Sequence, residues 1–134
     1  MIINMPATRV KRTAKRLRII LFAHGMKLTH GRARDLAARL YGFDGWRHFL
    51  ESDRWKPNSS FDKDLSETAF LERDAFQMNV LKAAGLGAVA RELLDRVDPT
   101  GSWAKAQAAK GQPIQPWPPV PRSLLGQEQP PRTT

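Results

Sequence analysis

The chain has 134 residues, a formal charge of +9 and no cysteine, which excludes disulfides and thiolate-bound zinc or iron–sulfur centres. Residues 1–50 carry all of the net charge, with eleven Lys or Arg against two Asp, whereas residues 51–134 hold eleven basic and eleven acidic residues. A charge excess confined to one segment indicates a polyanionic partner for that segment.

No apolar run reaches the roughly 18 residues that a membrane-spanning helix needs. The run at residues 19–23 is also too short for the apolar region of a signal peptide. We therefore expect a cytoplasmic protein without a membrane partner.

Residues 1–8 contain Pro6 and no periodic pattern, so we expect a flexible arm. Residues 9–24 predict a helix, because their apolar side chains recur at spacings of three and four on one stripe. Ile19 and Phe22 lie among the cations, so the basic face must also meet something apolar. The six cations of this helix are Arg9, Lys11, Arg12, Lys15, Arg16 and Arg18.

Two further short helices are predicted, which would make residues 9–52 a compact tri-helical unit. Thr29 can cap the second helix with its hydroxyl group, and Gly42 follows its last turn. Asp44 is expected to cap the third helix, in which Trp46 faces inward.

One carboxylate lies among the arginines of the second helix. Asp35 is three residues from Arg32 and four from Arg39, within reach of an ion pair with either. We expect these pairs to neutralise much of the charge of both arginines, leaving the first helix as the unexplained basic element.

Residues 53–63 have a loop-like composition and predict a linker. A helical pair should follow at residues 64–98, starting near Asp64 and packing on the first unit or on a partner. The helix at 66–83 is apolar on two sides, one of which includes Phe76, as is typical of a helix between two neighbours.

Residues 99–134 predict a short helix at 103–110 and then a proline-rich, partly disordered tail from residue 113. Trp117 lies within the prolines and could contact a partner's aromatic groove. The expected fold is therefore all-α: a basic tri-helical unit, a helical pair and an extended tail.

Residues 14–50 carry a motif pattern at fixed offsets. The residues concerned are Ala14, Lys15, Arg16, Leu17, Arg18, Gly25, Leu28, Thr29, His30, Gly31, Ala33, Asp35, Leu36, Ala38, Gly42, Phe43 and Trp46. The pattern resembles the glyoxalase-related protein domain, a short helical module of bacterial and plasmid-borne proteins. Where that family has Ser, Ser, Tyr and Asn, this chain has Thr29, Gly31, Phe43 and Arg47. The resemblance implies a bacterial or mobile-element origin.

No catalytic constellation accompanies the resemblance. His24, His30 and His48 are not spaced as ligands on one helix face, so we expect no metal site, and His30 should pack or hydrogen-bond where the second helix starts. The sequence also lacks a nucleophile elbow and a phosphate-cradling glycine loop. We expect no enzymatic activity, no cofactor and no small-molecule substrate.

The six cations of the first helix favour a nucleic-acid partner, although an acidic protein surface or simple solvation would also suit them. Ala38 and Gly42 match a helix-turn-helix, but His48 and Glu51 fall where apolar residues are required, so that motif is not expected. No aromatic ladder accompanies the cations, which gives single-strand stacking little support.

The preferred hypothesis is therefore an accessory protein that binds nucleic-acid phosphates with little sequence preference. The alternative is a protein-interaction module or homodimer that uses the apolar faces of residues 9–24 and 66–83, including Ile19, Phe22 and Phe76.

Overall fold

The computed structural model describes residues 1–52 and 56–101, and over these residues the chain is helical without a strand. The helices are α1 (Ala7–Ala23), α2 (His30–Leu40), α3 (Trp46–Leu50), α4 (Glu67–Ala83) and α5 (Ala90–Val97), with 3₁₀ turns at Asp62–Asp64 and Gly87–Val89. The predicted all-α class is confirmed. The predicted helix at 103–110, the proline-rich tail and Trp117 lie outside the described residues.

Four helices surround one core. Helices α1 and α4 each contact both α2 and α5, and α3 packs against α2. Within the described residues, the buried apolar side chains from Ile3 to Val97 form one cluster. The pair α4–α5 therefore packs on the basic unit, and the linker predicted at 53–63 does not separate two cores. Among the described helices, none has the length and apolarity that crossing a membrane would need.

The first residues are packed, so the prediction of a flexible arm was wrong. Ile3 is 1% exposed, Met5 is also buried, and the Ile3 N–H donates to the Tyr41 carbonyl at 2.8 Å. The segment crosses Gly42, whose φ of +92° and lack of a side chain admit the Met1 carbonyl, with which a Cβ would collide. Two buried side chains and backbone pairing offset the entropy of ordering this segment.

Capping explains where three helices begin. The Thr29 hydroxyl accepts from the Arg32 N–H at 3.3 Å, as predicted for α2. Helix α4 begins at a cap two residues later than expected, because Ser66 Oγ and not Asp64 accepts, here from the Ala69 N–H at 3.1 Å. At α3 the prediction of Asp44 was wrong: Asp35 Oδ1 accepts from the Trp46 N–H at 2.9 Å.

Helix α4 buries two polar side chains, Arg73 and Gln77, beside Leu81, which belongs to one of the two predicted apolar faces. The Arg73 guanidinium donates to Asp62 Oδ1 at 2.9 Å, and the Thr100 hydroxyl donates to Asp62 Oδ2 at 2.7 Å. One turn further on, Gln77 Nε2 donates to the Leu40 carbonyl at 3.2 Å. Within the face predicted for Phe70, Leu71, Met78 and Leu81, Leu81 is buried whereas Leu71 is 57% exposed. These hydrogen bonds compensate the free-energy cost of burying the polar side chains.

Candidate nucleic-acid interface

The six cations of α1 fall into separate rows, because an α-helix turns once every 3.6 residues. Arg9 and Arg16 are seven residues apart and share one side of the helix. Lys11, Lys15 and Arg18 follow at spacings of four and three on another side, and Phe22 continues that row four residues later. We call Lys11, Lys15, Arg18 and Phe22 the outer row. Arg12 is exposed on α1 between the two sides.

Arg9 and Arg16 bond to other parts of the folded chain. Arg9 Nε donates to the Pro99 carbonyl at 2.9 Å, and its guanidinium lies 4.7 Å from the centre of the Phe61 ring. Arg16 donates to the Val97 carbonyl at 3.1 Å, and burial lowers its pKa. Val97 is the last residue of α5, and carbonyls at a helix C-terminus lack intrahelical donors and carry partial negative charge, so Arg16 completes the end of α5 while Arg9 bonds to the turn that follows it. Arg9 and Arg16 therefore have partners within the fold, and their predicted role as phosphate ligands stays a prediction.

The cations of the outer row are exposed. Lys11 and Lys15 make no hydrogen bond or ion pair with another described residue. Arg18 lies 3.4 Å from His30 Nδ1, a long contact between two exposed side chains. His30 is thus exposed at the first residue of α2 and contacts Arg18, without being packed into the core.

An apolar groove lies at the end of the outer row. Phe22 is 72% exposed and Ile19 is 54% exposed, so residues 64–98 leave both side chains accessible. The groove has a volume of about 420 Å³. We call it the Phe22 groove; it is lined by Lys15, Arg18, Ile19, Phe22, Lys27 and Leu28. Three cations therefore border an apolar floor that the described part of the chain leaves accessible.

The basic surface extends onto α2, contrary to the expected neutralisation by Asp35. That carboxylate is engaged at the start of α3, and it forms no ion pair with Arg32 or Arg39. Arg39 Nε instead donates to the Asp44 carbonyl at 3.1 Å. Arg32 is exposed and has no side-chain partner among the described residues.

The other predicted residues are structural or lie elsewhere. Trp46 is half-buried, with its ring stacked on Phe49 and the Arg34 guanidinium 4.9 Å from its centre. Phe76 is half-buried beside a separate groove of about 290 Å³ that also contacts Phe43 and Val80. Phe76 therefore does not join Ile19 and Phe22 in one surface.

Within residues 1–52 and 56–101, no group of three or more His, Asp or Glu side chains is arranged to hold a metal ion. No protein-family model, curated protein or solved structure matches this chain. The resemblance of residues 14–50 to the glyoxalase-related domain thus stays a prediction. What the site can do follows from its own charges and shape.

Sequence reasoning missed two components of the site. Lys27 and Leu28 lie in the loop between α1 and α2 and complete the groove, but a loop has no periodicity that would assign them to it. The separation of Arg9 from Lys11 could have been found, since their positions differ by more than half a helical turn.

Proposed function

We propose that this chain is a non-enzymatic accessory protein whose outer row binds the phosphates of a nucleic acid with little sequence preference. The observation that carries the proposal is the row of three exposed cations, none of which has a carboxylate partner among the described residues. A cytoplasmic location and a bacterial or mobile-element origin belong to the same proposal, the latter through the resemblance of residues 14–50.

Charge repulsion favours an external anion. Lys11 and Lys15 are four residues apart, and Lys15 and Arg18 are three apart, so each pair repels by a few tenths of a kcal/mol. Nucleic-acid phosphates relieve this repulsion, and binding releases their condensed counterions.

The length of the row suits consecutive phosphates. From Lys11 to Arg18 the helix rises roughly 10 Å at 1.5 Å per residue. A DNA strand in a duplex rises about 3.4 Å per nucleotide, so the row spans about three nucleotides. Long, flexible side chains that contact phosphates position a nucleic acid without reading its bases, which is why little sequence preference is proposed.

Salt-dependent binding tests the proposal. Fluorescence anisotropy would be measured with labelled duplex and single-stranded DNA over a series of salt concentrations. The variant Lys11→Gln/Lys15→Gln/Arg18→Gln should bind weakly, and its log–log salt slope on duplex should be shallower by up to about 2.7. The matched control Lys56→Gln/Lys63→Gln/Lys82→Gln removes the same charge from exposed positions outside α1 and should bind far better.

Two outcomes would contradict the proposal. In one, the wild-type chain binds neither duplex nor single strand at low salt. In the other, the two triple variants lose affinity equally, which would mean that net charge and not the outer row carries binding. Circular dichroism of each variant checks that the helices are retained.

A protein partner is the second candidate, favoured by the exposure of Ile19 and Phe22. An apolar interface at the Phe22 groove would respond weakly to salt, whereas phosphate binding weakens steeply. Sedimentation of the purified chain at low and moderate salt would reveal self-association through this groove.

A further inference from the structure

Phe22 is an aromatic side chain at the end of a row of cations. Lys15 and Arg18 precede it by seven and four residues on the same side of α1, and Lys27 approaches the groove from the loop that follows. The ring is 72% exposed, although burying it elsewhere in the fold would have been favourable. The juxtaposition of an exposed ring and three cations defines the chemistry of the occupant.

We propose that the Phe22 groove binds an unpaired base of a single-stranded nucleic acid, whose neighbouring phosphates lie along the outer row. This inference rests on the proposed function and adds the class of nucleic acid. The ring of Phe22 would stack on the face of the base, while Lys15, Arg18 and Lys27 hold the flanking phosphates. Ile19 and Leu28 would contact the edges of the base or its sugar.

Stacking requires an unpaired strand. Inside a duplex each base is covered on both faces by its neighbours, so duplex DNA could use the cations but would leave Phe22 in water. In a single strand a base is free to stack on an aromatic side chain, an interaction that tolerates any sequence. The groove, at about 420 Å³, is open to such a base.

Charge argues against the chain's own remaining segment as the occupant. Residues 102–134 contain Lys105, Lys110, Arg122 and Arg132 but one acid, Glu128. A segment of that charge is repelled by the three cations that border the groove. A second copy of the chain, with a formal charge of +9, is disfavoured for the same reason.

The dimensions of the apolar floor argue against an acidic helix. A helix that docks in a groove uses apolar anchors at i, i+3, i+4 and i+7, which extend over two turns. On α1, Ile19 and Phe22 are three residues apart and cover one turn, and the preceding turns of the same side carry lysine. With Leu28 from the following loop, the floor holds one ring and two branched side chains, which fit a single base better than a row of four anchors.

Three DNA probes and three variants test the inference in the full chain. The probes are a labelled single strand of mixed sequence, its duplex, and an abasic strand with the same number of phosphates. The variants are Phe22→Ala, Phe22→Leu and the control Leu71→Ala, which removes an apolar side chain of similar exposure from α4. Affinities would be measured by anisotropy at one low salt concentration.

The wild type should bind the single strand more tightly than the abasic strand. Phe22→Ala and Phe22→Leu should each weaken single-strand binding by roughly 5- to 150-fold, since neither side chain offers a ring. Duplex and abasic affinities should stay within about twofold of wild type in both variants, and Leu71→Ala should change none of the three.

Different results overturn the inference and the proposed function. Equal loss of all three probes on replacing Phe22, or retention of single-strand affinity in Phe22→Leu, would overturn base stacking while leaving phosphate binding intact. A wild-type chain that dimerises and a monomeric Phe22→Ala would show that a second copy occupies the groove. Absence of binding to every probe would overturn the proposed function itself.

Discussion

Helix α1 presents cations on two sides with contrasting environments. Arg9 and Arg16, seven residues apart, reach the carbonyls of Pro99 and Val97, just after and at the end of α5. Lys11 and Arg18, also seven residues apart, extend from the opposite side into solvent. The same residue types at the same spacing therefore stabilise the fold on one side and leave charge for a partner on the other.

A count of basic residues therefore overestimates the number of cations that are available to a binding partner. An arginine near a helix C-terminus can satisfy orphan carbonyls, and that structural use is invisible in a linear sequence. The two sides of α1 should therefore differ in their effects: substitutions on one side should change stability, and substitutions on the other should change binding.

The largest expected effect on stability concerns the buried cation of α4. Arg73 is 7% exposed and pairs with Asp62, whose pKa is raised by burial although Thr100 and Arg73 donate hydrogen bonds to it. Asp62→Ala leaves the guanidinium without its carboxylate and should lower the free energy of unfolding by about 3 kcal/mol. Urea denaturation measures the loss. The exposed Asp64→Ala serves as control, and a similar loss there would contradict the account.

Alkaline pH should weaken the junction between α1 and α5. Tyr41 donates to the Pro99 carbonyl at 2.6 Å and lies 2.6 Å from the Thr13 hydroxyl, and burial raises its pKa from 10.0 to about 12. A folded-state pKa above the unfolded value means that stability is intact below pH 10 and is lost as pH rises towards 12. The loss should total between about 2 and 3 kcal/mol.

This titration can be observed directly. Tyr41 is the chain's single tyrosine, so the absorbance of its phenolate reports one group. Urea denaturation at a series of alkaline pH values gives the stability curve, and Tyr41→Phe should remove this component of its decline. A phenolate signal with an ordinary midpoint in the folded protein would contradict the buried environment.

Neighbouring residues on α1 should differ in their effect on stability. Arg16→Gln removes the donor to the Val97 carbonyl and part of a half-buried side chain, so we expect a loss of about 1 kcal/mol. Lys15→Gln should be neutral within about 0.5 kcal/mol, because an exposed side chain with no partner among the described residues contributes little. Thermal and urea unfolding of the two single variants measure the difference in stability. Equal losses would contradict the prediction that Arg16 stabilises the fold and Lys15 does not.

The smallest effect should be a gain. In the free protein, Lys11→Gln/Lys15→Gln/Arg18→Gln removes three like-charge pairs, those of Lys15 with Lys11, Arg12 and Arg18, and should raise the free energy of unfolding by about 0.5 kcal/mol at low salt. Added salt should shrink the gain, since exposed charges are screened. A clear destabilisation, seen by urea unfolding at either salt concentration, would show that the outer row has a structural role.

Much of the fold follows from local patterns. The stripe of α1, the Thr29 cap of α2 and the pair α4–α5 were predicted because each depends on residues within a few turns. The burial of Ile3, whose N–H donates to the Tyr41 carbonyl, and the burial of Arg73 on α4 were not predicted, since they depend on partners distant in sequence. The burial of Arg73 and Asp62 depends on Thr100, which is 38 residues from Asp62 in the chain and donates a hydrogen bond to its carboxylate.

The candidate site was predictable to a similar degree. The sequence alone showed the cations of α1 and the apolar residues among them, Ile19 and Phe22. Which cations turn inward depended on the position of the α5 C-terminus, about 80 residues away in the chain. The spacing of residues in the sequence does not indicate where the α5 C-terminus lies relative to α1.

Matched double variants of α1 test the division of its cations most directly. Arg9→Gln/Arg16→Gln and Lys11→Gln/Arg18→Gln remove equal charge at equal spacing from the same helix. Urea unfolding and single-strand binding would be measured for both. The first variant should lose stability and retain more affinity, whereas the second should retain stability and lose more affinity. Equal stability and equal affinity in the two variants would contradict it.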